Sequence, residues 1–349
     1  MRYVGLRDVF GFPLRLGPVG PIHLPLRGRT HGCRSPPPQR YRSVMRILLA
    51  GSTGLLGSTL RTALIDRGDD VVRLVRPATD ASGVLWDPTS EPLDPDVVAG
   101  FDAVVNFAGR SIGEKRWSDR EKAALWASRV DFSAGLARAI AAASPKPEVW
   151  INASAVGIYG DRGDDIVTEG DAQGNGFLAE LTASWEAATA PAAEAGVRVV
   201  LMRNGIVLSA DGGALGRLLA PFGPRWLSPY RWGLGGPVGK GTQYWSWVSL
   251  EDHTRAALHA LAGGIAGPIN VVAPNPVMHR TFIRALGRAL RRPTVMPVPR
   301  FILNAVLGRE LAGALVHEGQ RVMPERLVAD GFEFHDTDVE TALREALAA

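Results

Sequence analysis

The sequence predicts an α/β fold: a doubly wound parallel sheet followed by a smaller, mainly helical C-terminal region. Three observations predict it. A glycine turn stands between a short apolar run and an amphipathic stretch near residue 50. Apolar runs of strand length then alternate with helical stretches, which argues parallel strands with helices on both faces. Loop-like segments follow those runs, at the strand ends where such sheets place their ligands.

The elements follow in chain order. Residues 1–44 carry eight arginines, one acid and seven prolines, including Pro36-Pro37-Pro38, with no helical periodicity. They are expected to be an over-called start or a disordered leader, with an arginine-rich transit peptide as a third reading. The leader carries a charge of +7 and the remainder −3, so the net +4 is not a property of the body. A basic block without a recognition motif is no argument for nucleic acid. The 46% hydrophobic and 21% charged composition, mean hydropathy +0.03, supports a sizeable core. No unbroken run reaches the ~18 apolar residues of a membrane span. The single cysteine, Cys33, excludes an intrachain disulfide, and the seven histidines form no metal-binding cluster, so no metal is expected.

The core region is expected over 45–275. Ile47-Leu48-Leu49-Ala50 reads as a buried strand. Gly51-Ser52-Thr53-Gly54-Leu55-Leu56-Gly57 follows, then a helix to about Arg67 with Leu56, Leu60, Ala63 and Leu64 on one face. Strand, Gly-x-x-Gly-x-x-Gly and helix form a Rossmann-type dinucleotide site. Gly51 makes the tight turn, Gly54 admits the pyrophosphate and Gly57 packs helix on strand, with the helix N-terminus facing the phosphates. Ser52 and Thr53 add hydroxyl donors. The second strand, Val71–Val75, ends in Arg76 with no acid to take a ribose 2′-hydroxyl. A guanidinium suits a 2′-phosphate, so NADP(H) is favoured over NAD(H), with Arg76 first and Arg73 second.

Further strands are expected at 102–106, 149–154, 197–202 and 269–272, and helices at 119–143, 177–195 and 250–263. Asn106, Ala108, Gly109 and Arg203 then join the glycine turn at the carboxyl edge as cofactor-binding candidates. Residues 211–247 are rich in Gly, Pro and Trp and read as a lid or binding loop. Arg217, Arg225, Arg231 and Lys240 are available there for an anionic substrate, and Trp226, Trp232, Trp245 and Trp247 for sugars or rings. Lys115, Arg116 and Trp117 follow a strand end and can face the same cleft. Residues 276–349 read as a small helical domain on the substrate side.

These motifs resemble the extended branch of the short-chain dehydrogenase/reductase superfamily. The likeness rests on the turn 51–57, Asn106-Phe107-Ala108-Gly109, the segments 154–160 and 245–253, Gly113–Trp117, Ser128-Arg129, Gly233–Gly239 and Glu318–Pro324. It is closest to the NAD(P)-dependent epimerase family that carries its own small C-terminal domain, and covers about 45–347. The resemblance implies an NADP(H)-dependent oxidoreductase or epimerase acting on a small carbonyl or sugar-like substrate. It implies Ser154 as the polarising hydroxyl of the site. The superfamily's Tyr-x-x-x-Lys pair is missing: the helix around 176–186 has neither residue, and Tyr159 is the tyrosine left near the site. Ser154 and Tyr159 are therefore the catalytic candidates, while Glu180 and Glu186 read as solvated or ion-paired. The alternative is a catalytically degenerate NADP(H)-binding sensor or scaffold. Expected partners are a small anionic or sugar-like molecule, and neither nucleic acid nor membrane. A homodimer is compatible with this reading, and the expected compartment is the cytoplasm.

Overall fold

The computed structural model describes residues 44–76, 83–220 and 228–348. The leader, apart from Val44, lies outside the described residues, as do Arg225 and Trp226 of the 211–247 segment. The described residues belong to one compact unit, Ser43–Ala349.

Seven parallel strands form the central sheet. In spatial order they are Gly267–Val271, Arg198–Asn204, Val149–Ala155, Ala103–Asn106, Arg46–Ala50, Asp70–Val75 and Val84–Leu85. Chain order therefore runs outward in one direction from Arg46–Ala50, then jumps back and runs outward in the other. The reversal falls between Arg46–Ala50 and Ala103–Asn106, where Ile47 pairs with Ala103 and Ala50 with Asn106. Two crossovers leaving opposite sides of that junction open a crevice at its carboxyl edge, the place for a dinucleotide.

Both faces of the sheet are buried, which explains why its strands read as apolar runs. Ile47, Leu49, Val105, Ile151 and Met202 face one layer, packed on Leu60 and Leu64 of the helix Leu55–Asp66 and on Ala256 and Ala257 of the helix Leu250–Ala262. Leu48, Val104, Trp150 and Val199 face the other, packed on Leu136 and Ile140 of the helix Phe132–Ala142. A third cluster joins Leu215, Trp245 and Trp247 to Phe282, Leu286 and Leu343, so the C-terminal helices His279–Leu290 and Val339–Ala348 pack on the 206–247 region.

Three details depart from the sequence reading. The strand Val84–Leu85 adds an edge that no apolar run announced. The stretch 211–247 is not wholly irregular, because Gly213–Leu219 is helical and Tyr244–Trp245 pairs antiparallel with Val277–Met278. The long helical stretch from Asp119 to Ala142 widens to a π-turn over Ala127–Asp131. Such bulges turn side chains off the regular helical face and gather at functional sites.

Candidate functional site

The glycine turn is built from three different steric demands. Gly51 has φ +79°, and a Cβ there would strike the Phe107 backbone carbonyl. A Cβ on Gly57 would strike the Gly51 carbonyl oxygen, so helix and strand can touch only through glycine. Gly54 differs: its backbone is extended, it is exposed, and the nearest protein atom to a Cβ is the Gly51 oxygen at 3.5 Å. None of the described residues requires a glycine at 54. The helix that starts at Leu55 has no side-chain cap and no acid in its first turn. The Ser52 hydroxyl is buried and has no hydrogen-bond partner among the described residues. Uncapped N–H groups, an orphaned hydroxyl and an open glycine face fit a pyrophosphate.

At the second strand end Arg76 is exposed, with no acid beside it in sequence. The Asp87 carboxyl is held below its usual range, chiefly by hydrogen bonds from Thr89, and the nearby Arg76 charge adds to this. Arg73 lies within the strand, paired in register with Leu49, so it is not at the ribose-reading position.

The fourth sheet strand leads into a loop braced from below. Asn106 is fully buried; its amide donates to Asn152 at 2.8 Å and Ser133 at 3.2 Å, and its oxygen accepts from Ala108 N at 3.0 Å. Asn106 thus shapes the Ala108-Gly109 turn rather than pointing out of it. Gly109 is exposed. Arg110 is tied to Glu121 by two bonds of 2.6 and 3.1 Å. Behind Gly109 stands Arg129 of the π-turn, its guanidinium 5.3 Å from the ring centre of Trp185.

Ser154, Tyr159 and Arg203 come together, in one buried network. The Ser154 hydroxyl donates to Glu186 at 2.5 Å. Arg203 grips the same carboxylate through Nε and Nη2, both at 2.8 Å. Its Nη1 donates to the Tyr159 hydroxyl at 2.9 Å, which donates onward to Asn270 at 2.7 Å. Tyr159 is 0% exposed. Burial raises the pKa of its phenol above the ordinary value, against the opposing pull of Arg203. Burial alone would lower that of Arg203, yet the bonds and charge of Glu186 leave it raised. The three residues expected at the reacting edge therefore have their polar atoms committed to one another and to Glu186 and Asn270. Glu180 is exposed. Of the two states expected for Glu186, solvated or ion-paired, the structure shows the ion pair, with Arg203 as a partner the sequence reading did not name. The one signal for Glu186 is position: no cation stands three or four residues away on its own helix, so its partner had to come from elsewhere.

The far side of the cleft is mixed. Trp245 and Trp247 are core, while Trp232 is 66% exposed. Arg217, Arg231, Lys240 and Lys115 are exposed. Arg116 donates to the carbonyls of Val306 (2.8 Å) and Ala305, and Trp117 packs edge-on against Phe177 at 4.9 Å. Among the described residues no group of His, Cys, Asp or Glu could hold a metal, and no helix is long and apolar enough to cross a membrane.

The NAD dependent epimerase/dehydratase family matches residues 47–272, and a domain of unknown function matches 298–346. An epimerase family protein of Mycobacterium leprae is 42% identical over 300 residues, covering 85% of this chain and 94% of that protein. The Homo sapiens epimerase family protein SDR39U1 is 34% identical over 311 residues, 87% of this chain and 100% of its own. A crystal structure of human SDR39U1, isoform 2, with NADPH superposes with TM-score 0.78 at 32% identity, covering 87% of this chain and 99% of that one. A nucleoside-diphosphate sugar epimerase of Corynebacterium glutamicum superposes with TM-score 0.69 at 34% identity, covering 87% of this chain and 58% of that one.

Proposed function

Because the chain belongs to the NAD-dependent epimerase/dehydratase family, we propose that it is an NADP(H)-dependent oxidoreductase or epimerase of a small carbonyl or sugar-like compound. The observation that carries this reading is the orphaned Ser52 hydroxyl beside the uncapped helix at Gly54. Residues 51–57 would hold the pyrophosphate, Arg76 the 2′-phosphate, and the Ala108-Gly109 turn the nicotinamide side. When bound, the nicotinamide supplies or accepts a hydride. The human relative crystallised with NADPH supports the phosphorylated cofactor.

In this reading Arg203 does not touch the cofactor, and Ser154 and Tyr159 act as positioning residues. They hold the Glu186–Arg203 pair against the strand ends and so fix the helix Phe177–Ala187 beside the cleft. The proposed partner is a small anionic or sugar-like molecule, and the proposed compartment is the cytoplasm. Calorimetric titration of NADPH and NADH into the full chain tests the cofactor. Charge-assisted bonds are worth about 1.5–3 kcal/mol, so NADPH is expected to bind roughly ten- to a hundredfold more tightly. Arg76→Asp should erase or invert that preference. Equal affinities in the wild type would remove Arg76 from the site, and absence of binding would remove the reading altogether. The missing Tyr-x-x-x-Lys pair favours a second reading, a degenerate sensor or scaffold. Tight NADPH binding without hydride transfer to any of a panel of aldehydes, ketones and nucleotide sugars would select it.

A further inference from the structure

We propose that the rim formed by residues 231–240 and 291–300 docks on an anionic lipid bilayer, with its arginines against the head groups and its apolar side chains among the acyl chains. Charge is the first sign. Between Asp211 and Glu310 the sequence has twelve lysines and arginines and two acids, Glu251 and Asp252. That stretch is +10 within a body of −3, so charge is sharply divided along the chain. The helix His279–Leu290 and the turn after it gather part of it in space. Arg284, Arg288, Arg291 and Arg292 line one shallow hollow of about 380 Å³, and all four are exposed. Arg288 has one carboxylate beside it, Glu340 at 2.9 Å. Arg292 donates its Nε to a neutral group, the Arg231 carbonyl, at 2.9 Å.

That last bond ties the hollow to an apolar strip. Residues 233–238 and 293–298 run side by side. A Cβ on Gly233 would lie 3.1 Å from the Pro293 ring, one on Gly236 would strike the Met296 carbonyl, and Val238 forms a parallel bridge with Val298. Trp232 and Leu234 on one segment, Val295 and Met296 on the other, are exposed, Val295 to 81%. Cations stand at the ends of both segments: Arg231 and Lys240 on the first, Arg292 and Arg300 on the second, all exposed. Cations flanking exposed apolar side chains are what a membrane interface accepts. An anionic partner answers the charge, and the apolar strip decides which. A nucleic acid would leave Leu234, Val295 and Met296 in water. A bilayer takes them in while its head groups neutralise the arginines. The expectation of no membrane partner rests on the missing spanning run, and docking on a surface needs none.

This inference does not depend on the cofactor reading. The test is flotation of the full chain with vesicles of phosphatidylcholine, alone or with about one part in three of phosphatidylglycerol. Binding is expected to the anionic vesicles and not to the neutral ones. Near an anionic surface each arginine is worth about fivefold, so Arg284→Gln/Arg291→Gln should bind about 25-fold more weakly. Arg284→Lys/Arg291→Lys should bind as wild type does, because a bilayer reads charge rather than guanidinium geometry. Val295→Ser/Met296→Ser should weaken binding roughly tenfold through lost apolar insertion. The eight leader arginines are a second source of charge. Each pair is therefore also measured with those eight changed to glutamine, where the same losses should persist. No binding to anionic vesicles, binding that vanishes with the leader arginines alone, or binding that the lysine pair also loses overturns the proposal. Heparin binding as tight as vesicle binding, with Val295→Ser/Met296→Ser indifferent, assigns the face to an acidic macromolecule and overturns it too.

Discussion

A side chain at Gly51 would run into the backbone of Phe107, whereas one at Gly54 would meet no protein atom closer than 3.5 Å. The two glycines are therefore small for different reasons, and substitution separates them. Gly51→Ala combines a positive φ with a backbone collision and is expected to lower stability by about 2 kcal/mol or more. Gly54→Val is expected to unfold in urea within about 1 kcal/mol of wild type, because the extended backbone there accepts a branched residue. It should nonetheless fail to bind NADPH, since the new methyl groups occupy the approach to the helix N-terminus. Urea melts paired with calorimetric titration read both effects. Wild-type affinity in Gly54→Val would show that no phosphate approaches that turn.

At the scale of elements, the helix Phe177–Ala187 is fixed to the sheet by one buried ion pair. The side chains of Arg203 and Glu186 are 9% and 11% exposed. Arg203→Met would leave the Glu186 carboxylate with the Ser154 hydroxyl alone, and removing one partner of a buried pair costs about 3 kcal/mol. The double variant Arg203→Met/Glu186→Gln should recover part of that loss, because the stranded charge is gone. A double variant no more stable than the single in denaturant would mean that the carboxylate finds water instead. The strands of the central sheet were legible because both faces are buried, so each appears as an apolar run. Val84–Leu85 was not, being two residues long, nor were the pairings of Ile166–Val167 with Arg321–Val322, whose partners lie far apart in the chain. The glycine turn was legible because its spacing is dictated locally. The fates of Tyr159 and Arg203 were not, because they depend on Asn270 and Glu186, which only the folded sheet brings near. A π-turn leaves no mark in periodicity, and this hid the placing of Arg129.

At the scale of the whole molecule, two buried histidines tie stability to pH. Burial pulls both His253 and His279 down from 6.5 to about 4. His253 packs against Phe107 and bonds Asn204 at 3.0 Å, at the sheet's carboxyl edge, while His279 lies against Trp245 in the C-terminal packing. Above pH 6.5 both are neutral folded or unfolded, and their contribution is intact. Between pH 6.5 and 4 the unfolded chain takes up protons that the folded one refuses, so stability falls as the solution is acidified. Each histidine should remove about 1.4 kcal/mol per pH unit across that window. Urea melts at pH 7, 6 and 5 should show the fall, and His253→Gln with His279→Gln should flatten it. A wild-type profile that is flat from 7 to 5 would mean both imidazoles protonate without leaving their places.

The helix Arg300–Leu307 buries none of its residues, and Phe301 is 71% exposed. Polar contacts hold it instead: Asn304 pairs with His317 at 3.0 Å, and the Arg116 guanidinium holds two of its last carbonyls from about 190 positions away. Inheritance therefore acts on this helix at a distance. A change at Arg116 would be felt in a segment it never neighbours in the gene. Phe301, Ile302 and Val306 answer to no core, and drift or new use is open to them.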